Sequence, residues 1–189
     1  MPMKIAFFEV EKGDQDIFSK SLSGAEIAFI EGPLDETSVE KAKNAEAVCI
    51  FVHSAVNKNV LDALPNLKYI AVRATGYNNI DCEYAETKGI KISNVPAYGS
   101  HTVAEFAFGL ILNLSRKIIN SGNYIKESSD FNYFPYMEGF DLKGKTLGII
   151  GTGKIGKNVA KIARGFEMNV IAYDLYPDIA FAKENNFTY

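Results

Sequence analysis

The sequence predicts an α/β protein built on parallel sheets covered on both faces. Three observations predict it. Short apolar runs rich in Val, Ile and Phe recur along the chain, namely KIAFFEV, AEIAFI, AEAVCIFV and LKYIAVRA. The stretches between them space their apolar residues three or four apart, which is the helical period. The runs themselves are continuous instead of alternating, as in strands buried on both sides of a parallel sheet. The chain of 189 residues is 47% hydrophobic and 23% charged, a globular composition. That length holds one ordinary domain, or a small domain plus part of a second.

Taken in order, the first strand runs over 4–10 and is followed by a helical pattern over 14–23. A strand over 25–30 precedes a helical pattern over 35–44, and a strand over 45–52 precedes another over 57–66. The strand over 67–74, the helix-like DCEYAETKG and the short strand IKISNV complete a five-strand unit ending near Asn94. After Pro96 the pattern changes. TVAEFAFGLILNLSRKIIN is a long apolar helix, and Thr102 and Glu105 have capping-box spacing at its start. The polar, aromatic and turn-rich residues 121–145 read as an irregular connection. TLGII then supplies a strand, KIGKNVAKIARGF a helix, MNVIAYD a second strand, and the tail after Pro177 opens another helix.

Composition limits the function classes. A net charge of -3 and a pI near 5.5 argue against a nucleic-acid partner, which needs a basic face. FAFGLILNLS is bounded by Glu105 and Arg116, too short to span a bilayer, so no membrane partner is expected. Cys49 lies inside an apolar run, and a reduced, buried thiol fits it better than a disulfide. The expected location is cytoplasmic. No metal-ligand cluster stands out.

The motif with chemistry is Gly151-Thr152-Gly153-Lys154-Ile155-Gly156, a G-x-G-x-x-G between a strand and a helix. The first glycine permits a tight turn, the second lets amides approach a pyrophosphate, and the third packs helix on strand. Lys154 and Ile155 offer backbone amides at the positive end of the helix dipole. Asp174 ends the next strand at about the 20-residue spacing of a group that binds the adenosine ribose. A carboxylate followed by Leu175 would repel a 2′-phosphate, so the expected cofactor is NAD, not NADP.

The linked motifs TGYNNID, NVPAYGSHTVAE and GTGKIG carry a wider resemblance. Together they resemble the D-isomer-specific 2-hydroxyacid dehydrogenases, particularly the D-lactate dehydrogenase branch, over essentially the whole chain. Asn78 departs from the family's more frequent aspartate. The resemblance implies a flavodoxin-like parallel-sheet substrate domain over 1–98. The start of a Rossmann dinucleotide-binding domain, incomplete, would occupy 99–189. It implies that the loop at Thr75 and Gly76 receives the substrate carboxylate on backbone amides, and that Tyr98 lines the pocket. The implied substrate is a small 2-hydroxy or 2-oxo acid, D-lactate or pyruvate first, and the implied assembly is a homodimer.

Family chemistry also uses an arginine, a glutamate and a histidine in sequence past the second nucleotide-domain strand. None of the three is carried over, so the expected catalytic set within this chain is empty. Nothing in the sequence gives His53 or His101 the acid partner that a catalytic histidine usually has. His53 is expected at a strand end and His101 at the entrance to the long helix. The third strand of the nucleotide domain is expected to be missing, and the chain is expected to be a fragment, inactive alone. The alternative is a non-catalytic module that binds nucleotide or pairs with another subunit through the helix at 102–119. A transcriptional co-repressor of the same fold is disfavoured by the lack of a basic stretch.

Overall fold

The four apolar runs and the short IKISNV of the first half form five parallel strands, the branched and aromatic residues of the central ones allowing cover from both sides. The structure, a computed structural model, describes residues 1–129, 131–132 and 137–189. It divides into two compact units, Met1–Tyr98 and Gly99–Tyr189. In the first, β1 (Lys4–Phe8), β2 (Glu26–Ile30), β3 (Ala47–Ile50), β4 (Tyr69–Val72) and β5 (Lys91–Ser93) pair in parallel. Their order is β2-β1-β3-β4-β5, the flavodoxin-like arrangement. Burial follows position. The central β3 is buried at every residue, whereas the edge strands β2 and β5 are only partly covered. Phe8, Val48, Ile50 and Ile70 are wholly buried in the core, each contributing about 1.5–3 kcal/mol relative to exposure.

The crossovers are α1 (Lys12–Ser21), a single 3-10 turn at Val39–Ala42, α2 (Lys58–Ala63) and α3 (Cys82–Thr87). Two of them start on side-chain caps. Asn57 accepts from Val60 N–H and Asp81 from Tyr84 N–H, each satisfying an orphan amide of the first turn. The helix expected over 35–44 shrinks to that 3-10 turn. Asp35 accepts from Thr37 N–H, Thr37 Oγ1 and Ser38 N–H, while Ser38 Oγ donates to Pro33 O. These local bonds offer the backbone an alternative to a helix, and they win.

The second unit contains α4 (Ser100–Arg116), α5 (Ile118–Ser128), β6 (Thr146–Ile150), α6 (Lys154–Gly165), β7 (Asn169–Tyr173) and α7 (Ile179–Glu184). β6 and β7 pair in parallel, and Phe108, Ile149, Ala160, Ala163, Met168 and Val170 form their core. Two expectations need correction. The long helix starts at Ser100 after Gly99, without a side-chain cap, so Thr102 lies inside its first turn and no capping box forms. Residues 121–128 are helical, not irregular: Lys117 takes a left-handed backbone, φ 56°, and α5 resumes beyond it. Asn113 Oδ1 accepts from Ile119 N–H and supplies the new start. Part of the expected connection, residues 130 and 133–136, lies outside the described residues. Past α7 the chain returns to β7 at a single isolated bridge. Thr188 bridges Ile171 in parallel, and Ala172 N–H donates to Thr188 O at 2.8 Å.

Candidate functional site

β6 runs straight into the glycine turn. Gly151 has φ 89°, a conformation that a side chain would strain, and its N–H donates to Tyr173 O at 2.8 Å. A Cβ on Gly156 would stand 2.1 Å from Gly151 O, so this glycine is what lets α6 sit against the end of β6. A Cβ on Gly153 would meet nothing within 4 Å. That open side is where a ligand can approach the main chain. Gly153 caps α6 with its backbone alone. Among the described residues, no protein group accepts from the N–H of Gly153, Lys154 or Ile155. Three convergent donors at the positive end of a 12-residue helix are the chemistry that receives a diphosphate.

Asp174 closes the arrangement from the end of β7. Its Oδ2 accepts from Thr152 N–H at 2.5 Å and from Thr152 Oγ1 at 3.0 Å, and its Oδ1 from Tyr176 N–H at 2.9 Å. The Tyr176 N–H, followed by the two Thr152 donors, holds the carboxyl below its ordinary range. Asp174 is therefore a carboxylate at neutral pH, with a lone pair on Oδ1 left for a ligand hydroxyl. The structure brings Gly151, Gly153, Lys154, Ile155, Gly156 and Asp174 together, and they fit a dinucleotide. Sequence reasoning missed two members. Thr152 ties the turn to Asp174, and Tyr189 Oη lies 2.7 Å from Thr152 Oγ1.

The loop after β4 is the other candidate. Thr75 Oγ1 donates to Val95 O, Asn94 Nδ2 donates to Thr75 O, and Val95 N–H donates to Ala74 O. These bonds staple the loop to the segment after β5. The N–H groups of Thr75, Gly76 and Tyr77 carry no protein acceptor among the described residues. They are available to an anion. Asn78, the departure from the family pattern, is exposed, while Asn79 donates to Phe51 O and Ser54 O. Tyr98 is the last residue of its unit and 65% exposed.

A third cluster, absent from the sequence reading, sits where β1 and β3 diverge, the switch point of this topology. The Arg73 guanidinium donates to Phe8 O, Glu9 O and Cys49 O. Glu9, itself at φ 55°, accepts from Phe51 N–H, His53 N–H and Ser54 Oγ. No local signal announces these bonds, because the partners are separated by 24 to 65 residues. Both histidines are exposed, and among the described residues neither imidazole pairs with a carboxylate. Cys49 and Cys82 are free thiols, and Cys49 is buried.

The sequence pattern of the D-isomer specific 2-hydroxyacid dehydrogenase catalytic domain matches residues 5–185. The chain belongs to this family. A 2-hydroxyacid dehydrogenase homolog of Zymomonas mobilis is 40% identical over 192 residues, covering 99% of this chain and 57% of the relative. The apo-structure of D-lactate dehydrogenase from Escherichia coli is 37% identical, with a TM-score of 0.80, over 99% of this chain and 60% of that one. D-lactate dehydrogenase from Aquifex aeolicus, solved in complex with NAD and lactic acid, is 28% identical. Its TM-score is 0.89, over 98% of this chain and 55% of that one. The chain thus spans little more than half the length of the 2-hydroxyacid dehydrogenases it matches. No helix among the described residues is long and apolar enough to cross a membrane, and no group of three or more potential metal ligands occurs there.

Proposed function

We propose that this chain carries the cofactor turn and the carboxylate-receiving loop of an NAD-dependent D-2-hydroxyacid dehydrogenase acting on D-lactate and pyruvate. The observation that carries the reading is the set of free amides at Gly153, Lys154 and Ile155 beside the ionised Asp174. The amides receive the pyrophosphate, and Asp174 accepts from a ribose hydroxyl while its charge repels a 2′-phosphate. Support comes from the Aquifex aeolicus relative, which was solved with NAD and lactic acid. Bound here, the nicotinamide would exchange a hydride with C2 of the acid. Thr75 and Gly76 would hold the substrate carboxylate on main-chain N–H groups and so fix the orientation of C2, with Tyr98 lining the pocket. In this division of labour Met1–Tyr98 is the substrate domain and Gly99–Tyr189 the nucleotide domain. Free thiols at Cys49 and Cys82 support a cytoplasmic setting.

Proton exchange at the C2 oxygen needs a general base within hydrogen-bond reach. Among the described residues neither His53 nor His101 has the partner that would orient it, so we assign that role to neither. The chain by itself is then a binder with little turnover. Fluorescence titration with NADH, followed by an assay with pyruvate, tests both halves. Uptake of NADH with no measurable oxidation is the expected result. A rate comparable to that of an intact relative would overturn the second half, and absence of uptake would overturn the first.

One observation favours subunit pairing in addition. Val103, Phe106, Leu110 and Leu114 recur every three or four residues along α4 and are 47–68% exposed. This apolar stripe supports a homodimer formed through α4.

A further inference from the structure

Thr152 and Tyr189 are joined through their hydroxyls, and counting protons fixes the direction of that bond. Thr152 Oγ1 owns one proton and lies 3.0 Å from Asp174 Oδ2, a carboxylate oxygen with none. The threonine proton therefore goes to Asp174, because two facing lone-pair oxygens would repel. That leaves Thr152 Oγ1 an acceptor towards Tyr189 Oη, 2.7 Å away, so the phenol is the donor. Tyr189 Oη in turn accepts from Asp178 N–H at 3.2 Å. The result is a one-way relay of donors from Asp178 N–H through Tyr189 and Thr152 to Asp174. Each bond polarises the next and all four groups hold a single arrangement. Both ends are anchored. Asp178 caps α7 by accepting from Phe181 N–H and is paired with Lys157, while Thr188 is bonded to β7.

From this geometry we infer that Tyr189 is a positioning residue for the glycine turn: its hydroxyl locks Thr152, and Thr152 sets the amides that follow it. The inference rests on the cofactor reading given above, and it adds a residue 33 positions past the last glycine of the motif. The phenol acts through Thr152. It removes the rotational freedom of Thr152, so that the N–H groups of Gly153, Lys154 and Ile155 are aligned before a diphosphate arrives, which lowers the ordering cost of binding.

The test uses the full chain and two readouts. Tyr189→Phe keeps the ring and its packing against Phe187, whose centroid is 5.5 Å away, and removes only the hydroxyl. NADH affinity should fall about fivefold, the size of one lost hydrogen bond. Hydrogen exchange at the Thr152 amide should speed up by a similar factor, while core amides such as Val170 keep their protection. Thr152→Ser should behave like the unaltered chain. Adding Tyr189→Phe to Thr152→Val should cost nothing beyond Thr152→Val alone, because the effect passes through that hydroxyl. Unchanged NADH affinity in Tyr189→Phe, or a full second loss in the double variant, would overturn the inference. If the unaltered chain takes up no NADH, the cofactor reading fails separately. Exchange at Thr152 then decides the lock by itself: faster in Tyr189→Phe upholds it, and no change overturns it.

Discussion

The carbonyl oxygen of Gly151 lies where a side chain on Gly156 would have to begin, at 2.1 Å from an ideal Cβ. Both ends of that contact are backbone, so neither can swing away. Gly156→Ala should therefore destabilise the second unit by about 1–3 kcal/mol, the usual cost of overpacking, and shift its urea midpoint. Gly153→Ala is the informative contrast. Its Cβ meets no atom within 4 Å, so the unfolding curve should barely move. NADH affinity should nevertheless drop about tenfold or more, because the methyl occupies the side from which a diphosphate reaches the amides. A Gly153→Ala chain that binds NADH normally would place the ligand elsewhere.

Asp174 gives a prediction in pH. Its carboxyl is held low by the Tyr176 N–H and then by Thr152, so it binds its proton less readily folded than unfolded. The stabilisation is therefore complete above the unfolded value of about 3.9 and is lost as pH falls through the lower folded value. Asp174→Asn lacks this contribution. The gap in thermal midpoint between the two chains should be constant near neutrality and narrow below about pH 4. The same substitution should raise NADPH affinity relative to NADH, since the charge opposing a 2′-phosphate is gone.

Much of this architecture was legible, and the failures have physical causes. The central strand was marked by a continuous apolar run, Ala47–Ile50, because burial on both faces leaves no polar position, whereas the edge strand Lys91–Ser93 is partly exposed and carries only one apolar residue. The order β2-β1-β3-β4-β5 followed from the family resemblance and its flavodoxin-like sheet, not from the runs themselves, since pairing between runs depends on packing that no single run encodes. α5 was missed because IINSGNYIKES mixes Gly, Ser and Asn with few apolar residues and buries none. The glycine turn and Asp174 were readable because spacing along one strand–helix–strand unit determines their meeting. Thr152 occupies a variable position of that motif, and its importance appears only once Asp174 and Tyr189 are placed against it.

Glu9 and Arg73 should matter to the first unit more than their surface chemistry implies. Glu9→Ala strands the Phe51 and His53 N–H groups and the Ser54 hydroxyl together. The expected loss is about 1–3 kcal/mol in urea unfolding, the cost of leaving partly buried donors unmet. Arg73→Lys keeps the charge but lacks the planar fork that reaches Phe8 O, Glu9 O and Cys49 O together. It should recover only part of the stability lost in Arg73→Met.

The exposed stripe on α4 makes a prediction about assembly. Sedimentation of the unaltered chain should show a concentration-dependent dimer. Phe106→Glu combined with Leu114→Glu, at positions 68% and 64% exposed, should yield a monomer without lowering the unfolding midpoint. A chain that is monomeric before substitution would remove the stripe from consideration as a pairing face.

Both sheets contain only parallel neighbours. No two adjacent strands can meet through a tight hairpin, so each pairing must wait for an intervening crossover to collapse. The growing chain meets this delay five times, since each of the five pairings joins strands on either side of at least one helix or turn. Refolding from denaturant should accordingly be slow beside that of a helical bundle of equal size, with unpaired edges exposed in the interval. The five-stranded sheet nevertheless draws only on residues between Lys4 and Ser93. During synthesis, that sheet can close before the glycine turn has left the ribosome, which shortens the time in which its edges can aggregate.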